Sequence, residues 1–180
     1  MHKPSDWVMR WSHLVPEGGR VLDLACGAGR HLRWFHERHH PVTGVDRAQE
    51  AINEIAPLGE AICADIENGP WPLDGRSFDG VIVTNYLWRA LLPTIVASVA
   101  PGGVLIYETF AQGNETVGKP SRPDFLLRPG ELLQACAGLR IAAYEDGFLT
   151  APERFVQRIA AVRPVADPST QPLRIPLRLP

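Results

Sequence analysis

Five short apolar runs alternate with helix-patterned stretches between residue 20 and about residue 162, and this alternation constrains the fold more than any other feature of the chain. The runs are Arg20–Ala25, Val42–Asp46, Glu60–Asp65, Phe78–Thr84 and Val104–Glu108. Phe78–Thr84 is apolar almost continuously rather than at every second position, as in a strand covered on both faces. Ala28 to Arg38 places Ala28, Leu32, Phe35 and His39 on one helical face. Ala48–Ala56 is a helix stopped by Pro57. Leu87–Ala100 carries Pro93, expected at the true first turn, where a missing N–H costs little. Pro129-Gly130-Glu131 opens a helix expected to end at Gly138. Such alternation implies a parallel sheet with helices on both faces. A last pair, Leu139–Tyr144 and Phe155–Val162 around a turn at Asp146-Gly147, has no helix between its members and predicts an antiparallel last strand. The expected fold class is α/β, a doubly wound, mostly parallel seven-stranded sheet. Residues 1–162 are expected to form one domain and 163–180, with its prolines, an extended tail. Ligand should bind beyond the carboxyl ends of the strands.

Composition narrows the function. The 180 residues carry 18 basic and 20 acidic side chains, a formal charge of −2, so no nucleic acid partner is expected. No stretch approaches the ~20 apolar residues of a membrane span. The N-terminus has no apolar signal core, so a cytoplasmic location is expected. Cys26, Cys63 and Cys136 fit neither a disulfide framework nor a C-x-x-C metal site, and read as reduced thiols. His31, His36, His39 and His40 fall on one short helix and its exit turn without a carboxylate cluster, so no metal site is expected.

Asp23, Asp46 and Asp65 fall at or near the ends of three successive strands. Between the first two lies Cys26-Gly27-Ala28-Gly29 at the start of a helix, where glycines let the backbone approach a ligand. Asp46 follows Gly27 at the spacing of an acidic residue that accepts both ribose hydroxyls. A dinucleotide site needs G-x-G-x-x-G, but Leu32 occupies the third glycine position. Asp23 would also face a pyrophosphate, an awkward neighbour for an anion. A carboxylate there suits a cation, such as the ammonium and sulfonium of S-adenosylmethionine.

The segment Val21-Leu22-Asp23-Leu24-Ala25-Cys26-Gly27-Ala28-Gly29-Arg30 resembles the first motif of class I S-adenosylmethionine-dependent methyltransferases. The resemblance continues in Gly44-Val45-Asp46, Ala64-Asp65-Ile66, Phe78-Asp79-Gly80-Val81-Ile82-Val83 and Pro101-Gly102-Gly103-Val104-Leu105, and covers about residues 18–162. It implies a Rossmann-like methyltransferase fold with S-adenosylmethionine as cofactor. It further implies that Asp23 contacts the methionine end and that the backbone from Ala25 through Cys26 and Gly27 to Gly29 wraps it. Asp46 would hold the ribose and Arg47 flank the adenine. Ala64, Asp65 and the Ile66 backbone would border the adenine edge, and Asn85 would offer a carbonyl to the methionine ammonium.

The acceptor is less constrained. The fourth-strand loop, Thr84-Asn85-Tyr86-Leu87-Trp88-Arg89, lacks the prolines of the Asn-Pro-Pro-Tyr pattern and has no cysteine. The remaining likeness is to small bacterial methyltransferases of the tellurite-resistance and thiol-methylating type. A small-molecule acceptor is therefore expected, a thiol or chalcogen nucleophile that needs alignment more than a base. For an oxygen or nitrogen acceptor the candidate catalytic groups are Glu108 and Tyr86, with Arg89 as an alternative ion-pair partner of Glu108. Tyr86, Trp88 and Phe110 are candidates for an apolar wall. The segment Thr109–Arg128 is long for a connector and is expected to cover the acceptor side. Trp7–Trp11 is expected across the cofactor mouth, with Arg10 at the cofactor carboxylate. The alternatives are a non-catalytic or partner-dependent S-adenosylmethionine-binding module and an NAD(P)-dependent oxidoreductase. The alternating tail Leu173–Leu179 is expected to meet a partner or to lie along its own domain.

Overall fold

The computed structural model describes residues 3–165 and 173–177. Ser5 caps a first helix, α1 (Asp6–Trp11), by accepting hydrogen bonds from the Trp7 and Val8 N–H groups. Then follow β1 (Val21–Leu24), α2 (Arg30–His36), β2 (Val42–Asp46), α3 (Gln49–Ile55), β3 (Glu60–Cys63) and β4 (Phe78–Thr84). The second half holds α4 (Leu92–Ala97), β5 (Val99–Phe110), α5 (Glu131–Ala135), β6 (Arg140–Thr150) and β7 (Glu153–Val162). The seven strands form one sheet in the order β3-β2-β1-β4-β5-β7-β6. β1 to β5 run parallel, and β7 is antiparallel to both β5 and β6. This is the doubly wound, mostly parallel sheet expected from the strand–helix alternation.

Both faces are covered, which is why the central strands carry so few polar side chains. On one face Leu22, Leu24, Val81, Val83 and Leu105 pack with Ile95 of α4 and Leu132 of α5. On the other, Val21, Ile82, Val104 and Ile106 pack with Trp7, Val8, Trp11, Leu32, Phe35, Ile52 and Ile55 of α1 to α3.

Local signals misplaced several boundaries. Pro101-Gly102-Gly103 is not a turn before β5 but lies inside it, where the pairing to β4 shifts register between Phe78 and Gly80. Asp146-Gly147 is likewise within β6, and the hairpin turns at Ala151-Pro152 instead. A long antiparallel partner supplies the ladder that overrides the local turn tendency. The helix expected from Leu87 begins at Leu92, after a 3-10 turn over Arg89–Leu91, with Pro93 in its first turn. α5 ends at Ala135 with Cys136 as its cap, before Gly138. Residues 173–177 of the tail lie against this domain: His13 Nε2 is 2.9 Å from the Pro176 carbonyl, and Ile175 packs onto the α1–α3 core. The rest of the tail beyond Val165 is outside the described residues. Among the described residues no helix is long and apolar enough to cross a membrane.

The long connector after β5 is anchored rather than loose. Arg89 forks onto Glu131 (2.7 and 3.0 Å) and also donates to the Asp124 and Leu126 carbonyls. Glu131 accepts the Arg128 N–H as well. Burial alone would raise the Glu131 carboxyl pKa, but these donors outweigh it and hold the group below its usual range. A depressed folded pKa means stabilisation that is present above the unfolded pKa and lost as pH falls through the folded one. Glu131→Gln is expected to lower stability by about 1–2 kcal/mol at neutral pH. Urea unfolding of the two proteins should converge in acid; an acid-insensitive gap would remove the ion pair as the cause.

Candidate active site

β1 ends in a turn whose residues take left-handed backbone: Ala25 (φ 52), Gly27 (φ 50) and Gly29 (φ 73). An alanine there costs about 1–3 kcal/mol and persists only when its surroundings over-determine it. They do so here. Cys26 N–H donates to the Val45 carbonyl (3.1 Å), and Gly27 N–H to Asp46 Oδ2 (2.8 Å). The other Asp46 oxygen takes the Ala48 N–H (2.9 Å), so one carboxylate fastens the turn after β1 to the start of α3. Gly29 has no alternative, because a Cβ there would lie 2.4 Å from Ile55 Cγ2.

Two clefts open at the carboxyl edge of the sheet and share Ala25. The first, about 210 Å³, is lined by Asp46, Arg47, Ala64, Asp65, Ile66, Glu67 and Tyr86, with Val45 at its base. The second, about 720 Å³, is lined by Ala25–Ala28, Arg30, Arg33, Glu54, Thr84 and Asn85. Asn85 is also left-handed (φ 54), a conformation asparagine tolerates, and its N–H bonds the Glu108 carbonyl (2.9 Å). Asp65 is exposed, and hydrogen bonds from the Asn68 side chain and then from the Glu67 and Asn68 N–H groups hold its carboxyl below the usual range. Asp23 is buried just beneath the turn, 1% exposed, and its Oδ2 has no hydrogen-bond partner.

Most of the residues expected at a ligand line one of these clefts; Asp23 and Gly29 lie in or beneath the turn and line neither, and Arg10, Glu108 and Tyr86 depart from their expected roles. Arg10 lines neither cleft. Trp7, Val8 and Trp11 are buried in the core, so α1 packs on the sheet face instead of across the cleft mouth, and Arg10 pairs with Glu145 of β6 (3.7 Å). Glu108 is 1% exposed and lines neither cleft. It accepts from Ser5 Oγ (3.0 Å) and pairs with Arg158 (3.3 Å) and Arg154 (3.7 Å), while Arg89 goes to Glu131. The Glu108 charge is thus balanced inside the protein, away from both clefts. Tyr86 lines the first cleft, beside Asp65 and Glu67, and not the second. Burial first, then the Glu67 and Asp65 charges, push its hydroxyl pKa up. The connector after β5 contributes no residue to either cleft.

Arg30, Thr84 and Glu67 line the clefts although the sequence assigned them no role there. All three adjoin candidate residues, Gly29, Asn85 and Ile66, and that adjacency was the available signal. The histidines divide: His31 is buried, whereas His36, His39 and His40 line one surface groove, with His40 approaching the Gly19 carbonyl (2.9 Å). Among the described residues no group of three or more His, Cys, Asp or Glu side chains is placed to hold a metal ion.

Comparison with known proteins agrees with this architecture. Residues 21–103 match the model of a family described as a methyltransferase domain. The malonyl-[acyl-carrier protein] O-methyltransferase of Serratia marcescens is 31% identical over 107 residues, covering 54% of this chain and 40% of that protein. The chain therefore spans less than half of that relative's length. TehB of Haemophilus influenzae superposes with a TM-score of 0.69 at 19% identity, covering 88% of this chain and 61% of that one. A TehB-like S-adenosylmethionine-dependent methyltransferase of Corynebacterium glutamicum gives 0.64 at 17% identity, covering 88% and 86%. Residues 21–103 thus match a methyltransferase domain, and the chain has the fold of S-adenosylmethionine-dependent methyltransferases of solved structure.

The cysteine in the turn is structural. Burial first, then the Asp23 and Asp46 charges, push the Cys26 thiol far up; burial pushes Cys136 up to about 12. Cys63 is exposed. Titration of the native protein with a thiol reagent is expected to find one reactive group, Cys63, and denaturant should release the other two. Rapid reaction of Cys26 in the native state would contradict this.

Proposed function

We propose that this chain transfers the methyl group of S-adenosylmethionine to a small-molecule acceptor that arrives as an anion, a thiolate or chalcogenide. The observation that carries the choice of acceptor is the composition of the second cleft. At the end of β4 it is lined by Thr84, Asn85 and Arg30, none of which takes up a proton at neutral pH. Glu54, the one carboxylate among its lining residues, is exposed on α3. The Arg30 guanidinium has a single neutral partner, Thr84 Oγ1 at 3.4 Å, and forms no ion pair among the described residues. An uncompensated cation, with the one lining carboxylate set out on α3, suits a nucleophile that is already charged.

The clefts fit the cofactor's shape and charge. A small cleft bordered by Asp46 and Asp65 suits a nucleoside, with Asp46 for the ribose and Arg47, Ala64, Asp65 and Ile66 around the adenine. Ala25 to Gly29 and the Asn85 carbonyl would border the methionine end, and the unpartnered carboxylate oxygen of Asp23 suits its positive charge. When bound, the cofactor supplies an electrophilic methyl group on a sulfonium. The polypeptide's part is to align the acceptor, exclude water and hold the acceptor's charge near Arg30. Leu32, buried where a dinucleotide fold has its third glycine, argues against a nicotinamide cofactor.

Calorimetry should show binding of S-adenosylhomocysteine and none of NADH. Asp46→Ala should weaken that binding about tenfold or more, since ~1.4 kcal/mol is a factor of ten. Tight NADH binding without a response to S-adenosylhomocysteine would overturn the proposal. For the acceptor, methyl transfer is screened over thiols, selenite, tellurite and small phenols. Arg30→Met is expected to lower kcat/KM for an anionic acceptor about tenfold or more and leave S-adenosylhomocysteine affinity within about threefold. A fall in that affinity instead would assign the guanidinium to the cofactor's carboxylate.

A further inference from the structure

We propose that His31 is a positioning residue, held by the docked N-terminal segment in its Nδ1-protonated form so that it presents a proton to Asp23. Docking of that segment and the state of the cofactor site are thereby coupled. The ligand-facing half of this inference rests on the proposed role of Asp23 at the cofactor's cationic end.

The geometry begins at Ser5. Its backbone N–H donates to His31 Nε2 at 3.2 Å, in a buried setting. A peptide N–H can only donate, so Nε2 must offer its lone pair, and the ring proton must then sit on Nδ1. This is the opposite of the form an unconstrained neutral imidazole favours. Nδ1 faces Asp23 Oδ2 at 3.6 Å, with both side chains 2% exposed. That separation exceeds a hydrogen bond, yet Oδ2 is buried and has no other partner. A small shift of either side chain would complete the contact, and leaving a buried acceptor open is costly.

Ser5 is fastened independently on its other side. Its Oγ accepts from Trp7 and Val8 and donates to Glu108, which Arg158 and Arg154 neutralise. Trp7 Nε1 donates to the Ile159 carbonyl (3.1 Å), and Arg158 lies over the Trp7 ring (4.8 Å). The Ser5 N–H is therefore held at the imidazole by contacts to β5 and β7. His31 itself lies one residue beyond Arg30, in the first turn of α2. A serine on the N-terminal segment and a carboxylate in the ligand turn thus share one imidazole. Such coupling is reciprocal: whatever ligand favours the ordered Asp23 also favours the docked segment.

The form of the ring is measurable on the full chain by ¹⁵N–¹H long-range correlation. Protonated Nδ1 and unprotonated Nε2 are expected for His31. An Nε2–H ring, or one protonated on both nitrogens, would overturn the proposal whatever the protein binds. Two variants split the contacts. His31→Asn keeps a donor near the Nδ1 position and loses the acceptor for Ser5. His31→Gln keeps an acceptor near Nε2 and loses the donor to Asp23. His31→Asn is expected to speed amide exchange over residues 5–11 and keep S-adenosylhomocysteine affinity within about threefold. His31→Gln should retain that protection and lose about fivefold or more in affinity, a change of about 1 kcal/mol. Its affinity for 5′-methylthioadenosine, which lacks the amino-acid end, should not change. Equal losses for both ligands would indicate general loosening and overturn the positioning role, as would an unchanged His31→Gln. A wild-type protein that ignores S-adenosylhomocysteine would instead overturn the methyltransferase reading, leaving the ring measurement to decide this one.

Discussion

Parallel pairing of β1 between β2 and β4 is the constraint on which the rest of the molecule depends. The registers Val21↔Val42 and Val21↔Gly80 bring the carboxyl ends of three strands level. Interior positions of these strands are covered on both faces and must be apolar, so polar chemistry is confined to the edge where the ladder stops. There the backbone loses its regular partners and can take unusual conformations. Ala25, Gly27, Gly29 and Asn85 are all left-handed at this one edge. The site is a consequence of where the sheet ends.

Among the carboxylates near that edge, Asp46, Asp65, Glu108 and Asp23 are distinguished by their partners. Asp46 is occupied by the Gly27 and Ala48 N–H groups and so acts as the fastening of the turn while still bordering the first cleft. Asp65 is exposed and locally bonded. Glu108 is buried among arginines and a serine hydroxyl, a charge balanced within the protein. Asp23 alone among them is buried with an oxygen left open. Its Oδ2 faces His31 Nδ1 at 3.6 Å, so its nearest polar neighbour is an imidazole rather than a guanidinium or a backbone N–H.

Much of this was legible in the residue order. The bounds of β2 and β4 coincide with the apolar runs, because a fully buried strand announces itself by composition alone. The turn Cys26–Gly29 and the acidic strand ends were likewise readable, since their spacing follows from strand and turn length. What was misread depends on partners distant in sequence. Asp146-Gly147 reads as a turn until β7 pairs across it. Arg10 looks free until Trp7 and Trp11 bury its helix, and Glu108 looks catalytic until Arg154 and Arg158 arrive from β7. His31 reads in sequence as one of four histidines on a short helix and its exit turn, yet it is buried between Ser5 and Asp23.

The sequence by itself determined the sheet class, the position of the glycine turn after β1 and the acidic residues around it. Those features rest on local periodicity and on glycine's backbone freedom, which act over a few residues. Only the tertiary structure decided which charged side chains are spent on one another and which remain open to a ligand. That choice is made by contacts across about 20 to 100 positions of chain, such as Ser5 with His31 and with Glu108. No local pattern encodes such pairings, because the cost of burying a charge is set by what the fold places beside it.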